Sequence, residues 1–326
     1  MTHPVWSRDD RRVHAVTIVD GTLHWKERPD PEPGAGEVLV AVRSAGLNAA
    51  DLLQLAGFYP APPGSPPDVP GMEFAGEVVA LGPGATRYRV GDRVMAVVGG
   101  GAQAELAVVH ERCAIRVPDA LDPVAAGGFP EAFTTAHDAV FTQAQLGVGE
   151  SLCVHGAAGG VGVAAVQLGV AAGARVVGTV RNPALRDRVA ELGATAVETE
   201  GFGQHGPFDV VLELIGGPNL REDISSLAIG GRIAIIGVGG GPKAEISLLD
   251  LMAVRGRIHG STLRARPLEQ KAAAAAAVDR HVLPLVDRGL ATVPVEATFP
   301  MAEAAAAYEH FRAGGKFGKV VLTSEA

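Results

Sequence analysis

Residues Ser151–Gly162 read SLCVHGAAGGVG, and this stretch decides the fold. A short apolar run (SLCV) meets glycines at 156, 159, 160 and 162, and the apolar stretch Val161–Ala172 follows. That order predicts a buried strand, a tight turn and a helix. Gly156, Gly159 and Gly162 are spaced G-x-x-G-x-x-G, and Ala157 begins an overlapping A-x-G-x-x-G. A turn that receives a dinucleotide pyrophosphate needs no side chain where backbone meets phosphate or where helix packs on strand. The helix start supplies free N–H groups and a positive dipole end. A strand before, a helix after and a second strand at Arg175–Val180 distinguish such a motif from glycines in a turn without a ligand. Ser151–Ala174 also runs 24 residues without Asp, Glu, Lys or Arg. That length fits a membrane span, but the glycines in its first half favour strand, turn and buried helix.

Beyond this turn, strands and helices alternate. Asn182 followed by Pro183 opens a helix whose apolar face is Leu185, Val189 and Leu192, and Gly193 closes it. Phe208–Leu214 and Gly231–Gly237 read as strands, with a helix near Leu220–Ala228 between them. Such alternation predicts a doubly wound parallel sheet, so the fold class is α/β. Residues 1–128 read differently, with strand-like runs at Glu37–Ser44, Glu73–Ala80, Arg93–Val97 and Glu105–His110 separated by Gly, Pro and Asp clusters. Tyr59–Pro70 (YPAPPGSPPDVP) is dense in proline and predicts a stiff extended loop. After Leu263 come a long Ala-rich helix over Leu268–Arg288, a strand near Val295, a helix at Met301–Arg312 and a last strand, Lys319–Thr323.

Thirty-six acidic against 28 basic residues give a net charge of −8 over 326 residues, which argues against nucleic acid or an anionic membrane as the main partner. Two cysteines, Cys113 and Cys153, cannot build a disulfide framework or a four-thiolate zinc site. Both read as inert strand thiols, and the expected compartment is a reducing cytoplasm. Met1–Arg12 is polar and reads as a short tail. No histidine lies within four residues of another, and G-x-S-x-G, H-E-x-x-H and a Walker A lysine are all missing.

The end of the second strand selects the coenzyme. An acidic residue there would bind ribose hydroxyls, but this chain has Val180 and then Arg181. A guanidinium pairs with a 2′-phosphate, so the reading is NADPH over NADH, with a solvated surface charge as the alternative for Arg181.

Six further motifs accompany the glycine turn in fixed order: Ala45–Asp51 (AGLNAAD), Pro70–Gly76 (PGMEFAG), Val90–Val94 (VGDRV), Pro130–Asp138 (PEAFTTAHD), Gly260–Arg266 (GSTLRAR) and Gly318–Thr323 (GKVVLT). With them the chain, from residue 14 to 323, resembles the medium-chain dehydrogenase/reductase superfamily, and within it the zinc-free, zeta-crystallin-like quinone oxidoreductase branch. The resemblance implies a GroES-like catalytic domain (1–128 and 267–326) around a Rossmann domain (129–266), and an active cleft between them. It also implies a homodimer through the edge strand near Arg257–Leu263. In zinc-dependent members the metal ligands would fall at Asn48, Met72 and Glu131; neither Asn48 nor Met72 supplies a thiolate or imidazole, so no zinc is expected. Related sequences carry a lysine near Leu185 and a tyrosine near Glu200. This chain has neither, and its segment Glu198–Phe208 is shorter than usual.

Without a Lewis acid the acceptor must already be electron-poor. The resemblance therefore implies NADPH-dependent hydride transfer to a small-molecule quinone or similar conjugated carbonyl. The alternatives are an enoyl reductase, or a non-catalytic, crystallin-like nucleotide-binding protein. Asn48 and Tyr59 are the expected acceptor contacts, with a turn cap and a surface aromatic as their plain readings. For the coenzyme the expected contacts are Thr135, Gly156, Ala157, Gly159, Gly160, Val161, Gly162, Arg181, Val238, Gly239, Ser261, Thr262, Leu263 and Lys319.

Overall fold

A computed structural model of the chain describes residues 12–324. The tail expected over Met1–Arg12 lies outside these residues except for Arg12, which opens the first strand.

The chain begins with a hairpin of β1 (Arg12–Val19) and β2 (Thr22–Pro29). Val19 faces Thr22 across Asp20 and Gly21, both at positive φ, the two-residue Asp-Gly turn whose twist suits paired strands. The sequence reading missed this hairpin although its turn residues announce it. Next come β3 (Glu37–Gly46), α1 (Ala49–Leu55), β4 (Glu73–Leu81), β5 (Arg93–Val97), β6 (Leu106–His110) and β7 (Ala114–Arg116). Cys113, expected on a strand, lies in the turn between β6 and β7. β3 alternates buried and half-buried residues, as a strand with one covered face does, and it is long enough to pair with β4, β6 and the chain's last strand. Two short helices, α2 (Pro123–Gly127) and α3 (Pro130–His137), lead out of this sheet.

β8 (Ser151–Val154), α4 (Gly160–Ala171), β9 (Arg175–Thr179), α5 (Arg186–Ala190), β10 (Thr195–Val197), β11 (Phe208–Glu213), α6 (Leu220–Ser225), β12 (Leu227–Ile235), α7 (Leu248–Ala253) and β13 (Arg257–Gly260) follow. Their six strands form one parallel sheet in the order β10-β9-β8-β11-β12-β13. Strand order reverses between β8 and β11, which places a crevice at the carboxyl ends of those two strands. β8 is buried throughout because layers cover both sheet faces, so its run is continuously apolar. α4 is apolar all round for the same reason. The uncharged 24-residue stretch is thus β8, turn and α4, and among the described residues no helix is long and apolar enough to cross a membrane. β12 starts at Leu227, earlier than the sequence suggested, because α6 ends at Ser225.

The chain then returns to the first sheet. The single helix expected over Leu268–Arg288 is two, α8 (Leu268–His281) and α9 (Leu283–Asp287). Pro284 has no N–H to donate and its ring crowds the carbonyl four residues back, so the helix breaks just before it. β14 (Val295–Pro300), α10 (Ala304–Ala313) and β15 (Lys319–Thr323) complete a seven-stranded sheet through β15's antiparallel pairing with β3.

Candidate active site

The crevice is built around the glycine turn. Gly156 has φ +63°, the left-handed conformation that only glycine adopts without strain. A Cβ on Gly162 would lie 2.3 Å from the Gly156 carbonyl oxygen and 2.7 Å from Ala157 Cα, so α4 can pack on the turn only with hydrogen at that position. Gly159, which precedes α4, has no side chain to cap the helix. The first N–H groups of α4, from Gly160, Val161 and Gly162, therefore point outward, a cradle suited to a dianionic pyrophosphate. Gly318 donates to the Ala158 carbonyl at 2.9 Å, and Gly159 bridges to Gly318, so the residue preceding β15 leans on the turn. The residues present fit a dinucleotide.

Lys319 comes directly after that contact, and its side chain is buried rather than turned toward the turn's open face. Its ammonium donates to Glu73 Oε1 at 2.6 Å, Asn48 Oδ1 at 2.7 Å and the Leu47 carbonyl at 3.0 Å. Asn48 precedes α1, and its backbone N–H donates to Asp51 Oδ2 at 2.8 Å, closing the helix's first turn. Its Nδ2 donates to Glu73 Oε1 at 2.8 Å. Thr135 Oγ1 donates to Glu131 Oε1 at 3.2 Å, one helical turn back along α3, and Glu131 N donates to Glu73 Oε2 at 2.8 Å. The structure thus joins Asn48, Lys319 and Thr135 in one polar floor, with Glu73 and Glu131 as the links.

Three carboxyls surround one ammonium on this floor. Burial pushes Asp51 up to about 6, and burial followed by repulsion from Glu73 pushes Glu131 up to about 7. Asp51 and Glu73 are sealed, whereas Glu131 keeps part of its surface exposed. The floor does not suit zinc. Asn48 Oδ1 and Glu73 already accept from the Lys319 ammonium, Met72 is a buried thioether, and among the described residues no thiolate or imidazole joins them.

Tyr59 stands at the entrance of the proline-rich loop, half-buried, and burial raises its phenol's pKa. Arg264 secures it. The guanidinium lies 5.0 Å from the Tyr59 ring centre and donates to the Tyr59 carbonyl (3.0 Å), the Gly99 carbonyl (2.7 Å) and Gln54 Oε1 (2.5 Å). Among the described residues nothing hydrogen-bonds the Tyr59 hydroxyl, which leaves it free for a ligand.

The remaining expected contacts line separate edges. Arg266 donates to Asp138 at 2.9 and 2.6 Å, to Ser261 Oγ at 2.5 Å and to the Thr262 carbonyl at 2.7 Å, which fixes the segment before buried Leu263. Val238 and Gly239 lie in the loop after β12, which clasps the loop after β11 through Gly217 N to Gly241 O (2.9 Å) and Gly240 N to Ile215 O (2.8 Å). Arg181 is exposed past β9 and forms no ion pair among the described residues. Lys316 stands near it: burial, then the charges of Lys319 and Arg181, lower its pKa. The sequence reading missed Glu73, Asp51, Arg264 and Lys316 as parts of the site. The first three sit inside quoted motifs, and for the two acids a carboxylate between apolar neighbours, as in GMEFAG, was the available signal.

Two family models match the chain: alcohol dehydrogenase GroES-like domain over residues 34–119 and zinc-binding dehydrogenase over residues 160–279. Residues 48, 72 and 131 lie outside the second match. The chain is 31% identical over 308 residues to the quinone oxidoreductase of Rattus norvegicus, covering 90% of each. It is also 32% identical over 313 residues to a mycocerosic acid synthase-like polyketide synthase of Mycobacterium tuberculosis; that match takes in 89% of this chain but spans only 14% of the synthase. Among solved structures, mycobacterial Rv1454c complexed with NADPH superposes with a TM-score of 0.83 at 26% identity, covering 95% of this chain and 99% of that one.

Proposed function

The chain belongs to the medium-chain dehydrogenase/reductase superfamily, in its quinone oxidoreductase branch, and from that premise we propose an NADPH-dependent, metal-independent reductase of quinones. One observation carries the reading. The Lys319 ammonium rests on Asn48 and Glu73, and the family resemblance puts a metal ligand of the zinc-dependent members at Asn48. A fixed cation of that kind supports the floor but is not an open Lewis acid, so the acceptor must bring its own electron deficiency. Quinones do.

Gly156–Gly162 and the start of α4 would hold the pyrophosphate, Arg181 and Lys316 the 2′-phosphate, and Thr135 with the loops at 238–239 and 261–263 the nicotinamide end. Bound there, the reduced coenzyme supplies a hydride. The chain's own residues orient the acceptor through Asn48 and Tyr59 and offer a proton from the cleft surface. A second reading, reduction of an α,β-unsaturated acyl thioester or enone, is favoured by the polyketide synthase match. The exposed Leu248, Leu249 and Met252 on α7, beside the edge strand β13, support a homodimer.

The test is a fluorescence titration with NADPH and NADH, followed by coenzyme absorbance decay on adding a simple quinone or an enone. We expect quinone-dependent oxidation of NADPH. Tight NADPH binding without turnover on either acceptor class would instead identify a non-catalytic nucleotide-binding protein. Arg181→Ala should lower the NADPH-over-NADH preference about tenfold, and an unchanged ratio would remove the phosphate assignment.

A further inference from the structure

Beneath the glycine turn lies a group of ionisable side chains that the reaction described above does not use. His155 follows β8, Glu213 ends β11 and Asp223 rises from α6, and all three are sealed from solvent. His155 Nε2 stands 2.7 Å from Asp223 Oδ1 and 3.8 Å from Glu213 Oε2, while Nδ1 stands 3.0 Å from Thr179 Oγ1 at the end of β9. Phe202 meets the imidazole edge-on, and Cys153 Sγ lies 3.9 Å from Nε2.

We propose that His155 is a permanently charged imidazolium that, through Asp223, Glu213 and Thr179, positions the loops forming the coenzyme crevice. The inference rests on reading that crevice as the NADPH site.

Charge balance comes first. The titratable groups facing His155 are Cys153 from β8, Glu213 from β11 and Asp223 from α6. Two carboxylates removed from water cannot both ionise beside a neutral ring, and a cation between them is the compact remedy. Burial opposes charge on the imidazole, but Cys153 and the hydrogen bond to Asp223 outweigh it and lift His155 well above the ordinary histidine range. Burial also lifts Asp223 to about 6, and its Oδ2 has no partner. Burial raises the pKa of the Cys153 thiol, and the neighbouring His155 opposes that shift.

Connection comes second. Glu213 Oε1 accepts from Ile215 N and from Gly216 N (2.7 Å), and Oε2 accepts from Asn219 Nδ2 (3.0 Å). Those bonds shape the loop after β11, the same loop that clasps Gly240 and Gly241. Thr179 Oγ1 takes a bond from His155 and also accepts from Gly156 N at 3.4 Å, at the start of the glycine turn. One ring therefore braces the pyrophosphate turn and the β11 and β12 loops together.

The ligand atoms of His155, Glu213 and Asp223 lie within 4.8 Å of one another, so a metal ion is the rival occupant. A metal would need a neutral ring, and the Glu213 oxygens are already engaged with the loop.

Nitrogen-15 histidine NMR on the full chain, from about pH 5 to pH 9, separates these cases. One imidazole should stay doubly protonated throughout, and Asp223→Asn should bring it into the titrating range. His155→Gln and Asp223→Asn should each raise the NADPH Kd and KM roughly tenfold with kcat nearly unchanged. A neutral His155 at pH 7, an equimolar transition metal in the purified protein, or a folded variant whose Kd stays within about twofold of wild type would overturn the proposal. Should a variant fail to fold, the wild-type spectrum and metal content still decide. A wild-type chain that binds no NADPH would sink the coenzyme reading while leaving the imidazolium to be judged by its spectrum.

Discussion

The two sheets each bury a cation among carboxylates, and the difference lies in where those carboxylates lead. In the first sheet's cluster, Lys319 joins Glu73 and Asn48, and Glu131, which is only half-buried, continues the network. On the coenzyme side, His155 joins Asp223 and Glu213, every member is sealed, and the outward bonds go to loop amides. The first cluster has a member with surface open to solvent; in the second, proton movement can only change the set of the walls. A buried charge is thus available for chemistry when one partner touches the cleft, and otherwise serves as architecture.

The largest effect should come from breaking the catalytic-side cluster at its cation. Lys319→Met removes three hydrogen bonds and leaves the Glu73 carboxyl enclosed without its cation partner. Loss of one partner from such a buried pair costs about 3–5 kcal/mol, which urea unfolding would register. Adding Glu73→Gln to Lys319→Met should recover a large part of that loss. If the double variant were as unstable as the single one, the pairing would not be what stabilises this floor.

Glu131→Gln is the next largest, and it tests the route to the surface. Because the Glu131 pKa is raised to about 7, the folded chain binds that proton more tightly than the unfolded chain. Its stabilising contribution is therefore complete at low pH and is lost as pH rises toward about 7. The glutamine variant should lack this slope and exceed wild type above neutrality by about 3 kcal/mol. If the neutral carboxyl supplies the proton, wild-type turnover falls as pH climbs through the same range. The variant should then run roughly 10² slower at low pH and show no such fall. Coincident pH–rate profiles would leave Glu131 as packing alone.

What the residues announced, and what they did not, follows from the range of the interactions. The glycine turn, the β8–α4–β9 succession and the Asn182 cap that accepts from Ala184 N at 3.1 Å are local, and each was readable from a few adjacent positions. Lys319 is different. Its motif was recognised, but its ammonium meets Asn48 and Glu73 across 271 and 246 residues of chain, and no spacing rule encodes that. The polar setting of Asn48 met the same limit, since the bonds that join its amide to Glu73 and Lys319 span 25 and 271 residues of chain. Arg264 and the His155 cluster went unread because a charged residue in an apolar context shows that a partner exists without naming it.

The smallest effect sharpens the comparison at the cleft mouth. Tyr59 belongs to neither cluster, yet Arg264 holds its ring and backbone while its hydroxyl stays unengaged. A hydroquinone anion delocalises its charge and takes a proton from water readily, whereas a carbon next to a reduced enone carbonyl needs a proton delivered in place. Tyr59→Phe should therefore slow enone turnover roughly tenfold and quinone turnover by less than about twofold, read from kcat/KM on matched acceptors. Equal losses on both would make Tyr59 an orienting contact, and the proton would then have to come from the floor through Glu131, the one carboxyl there that is not sealed.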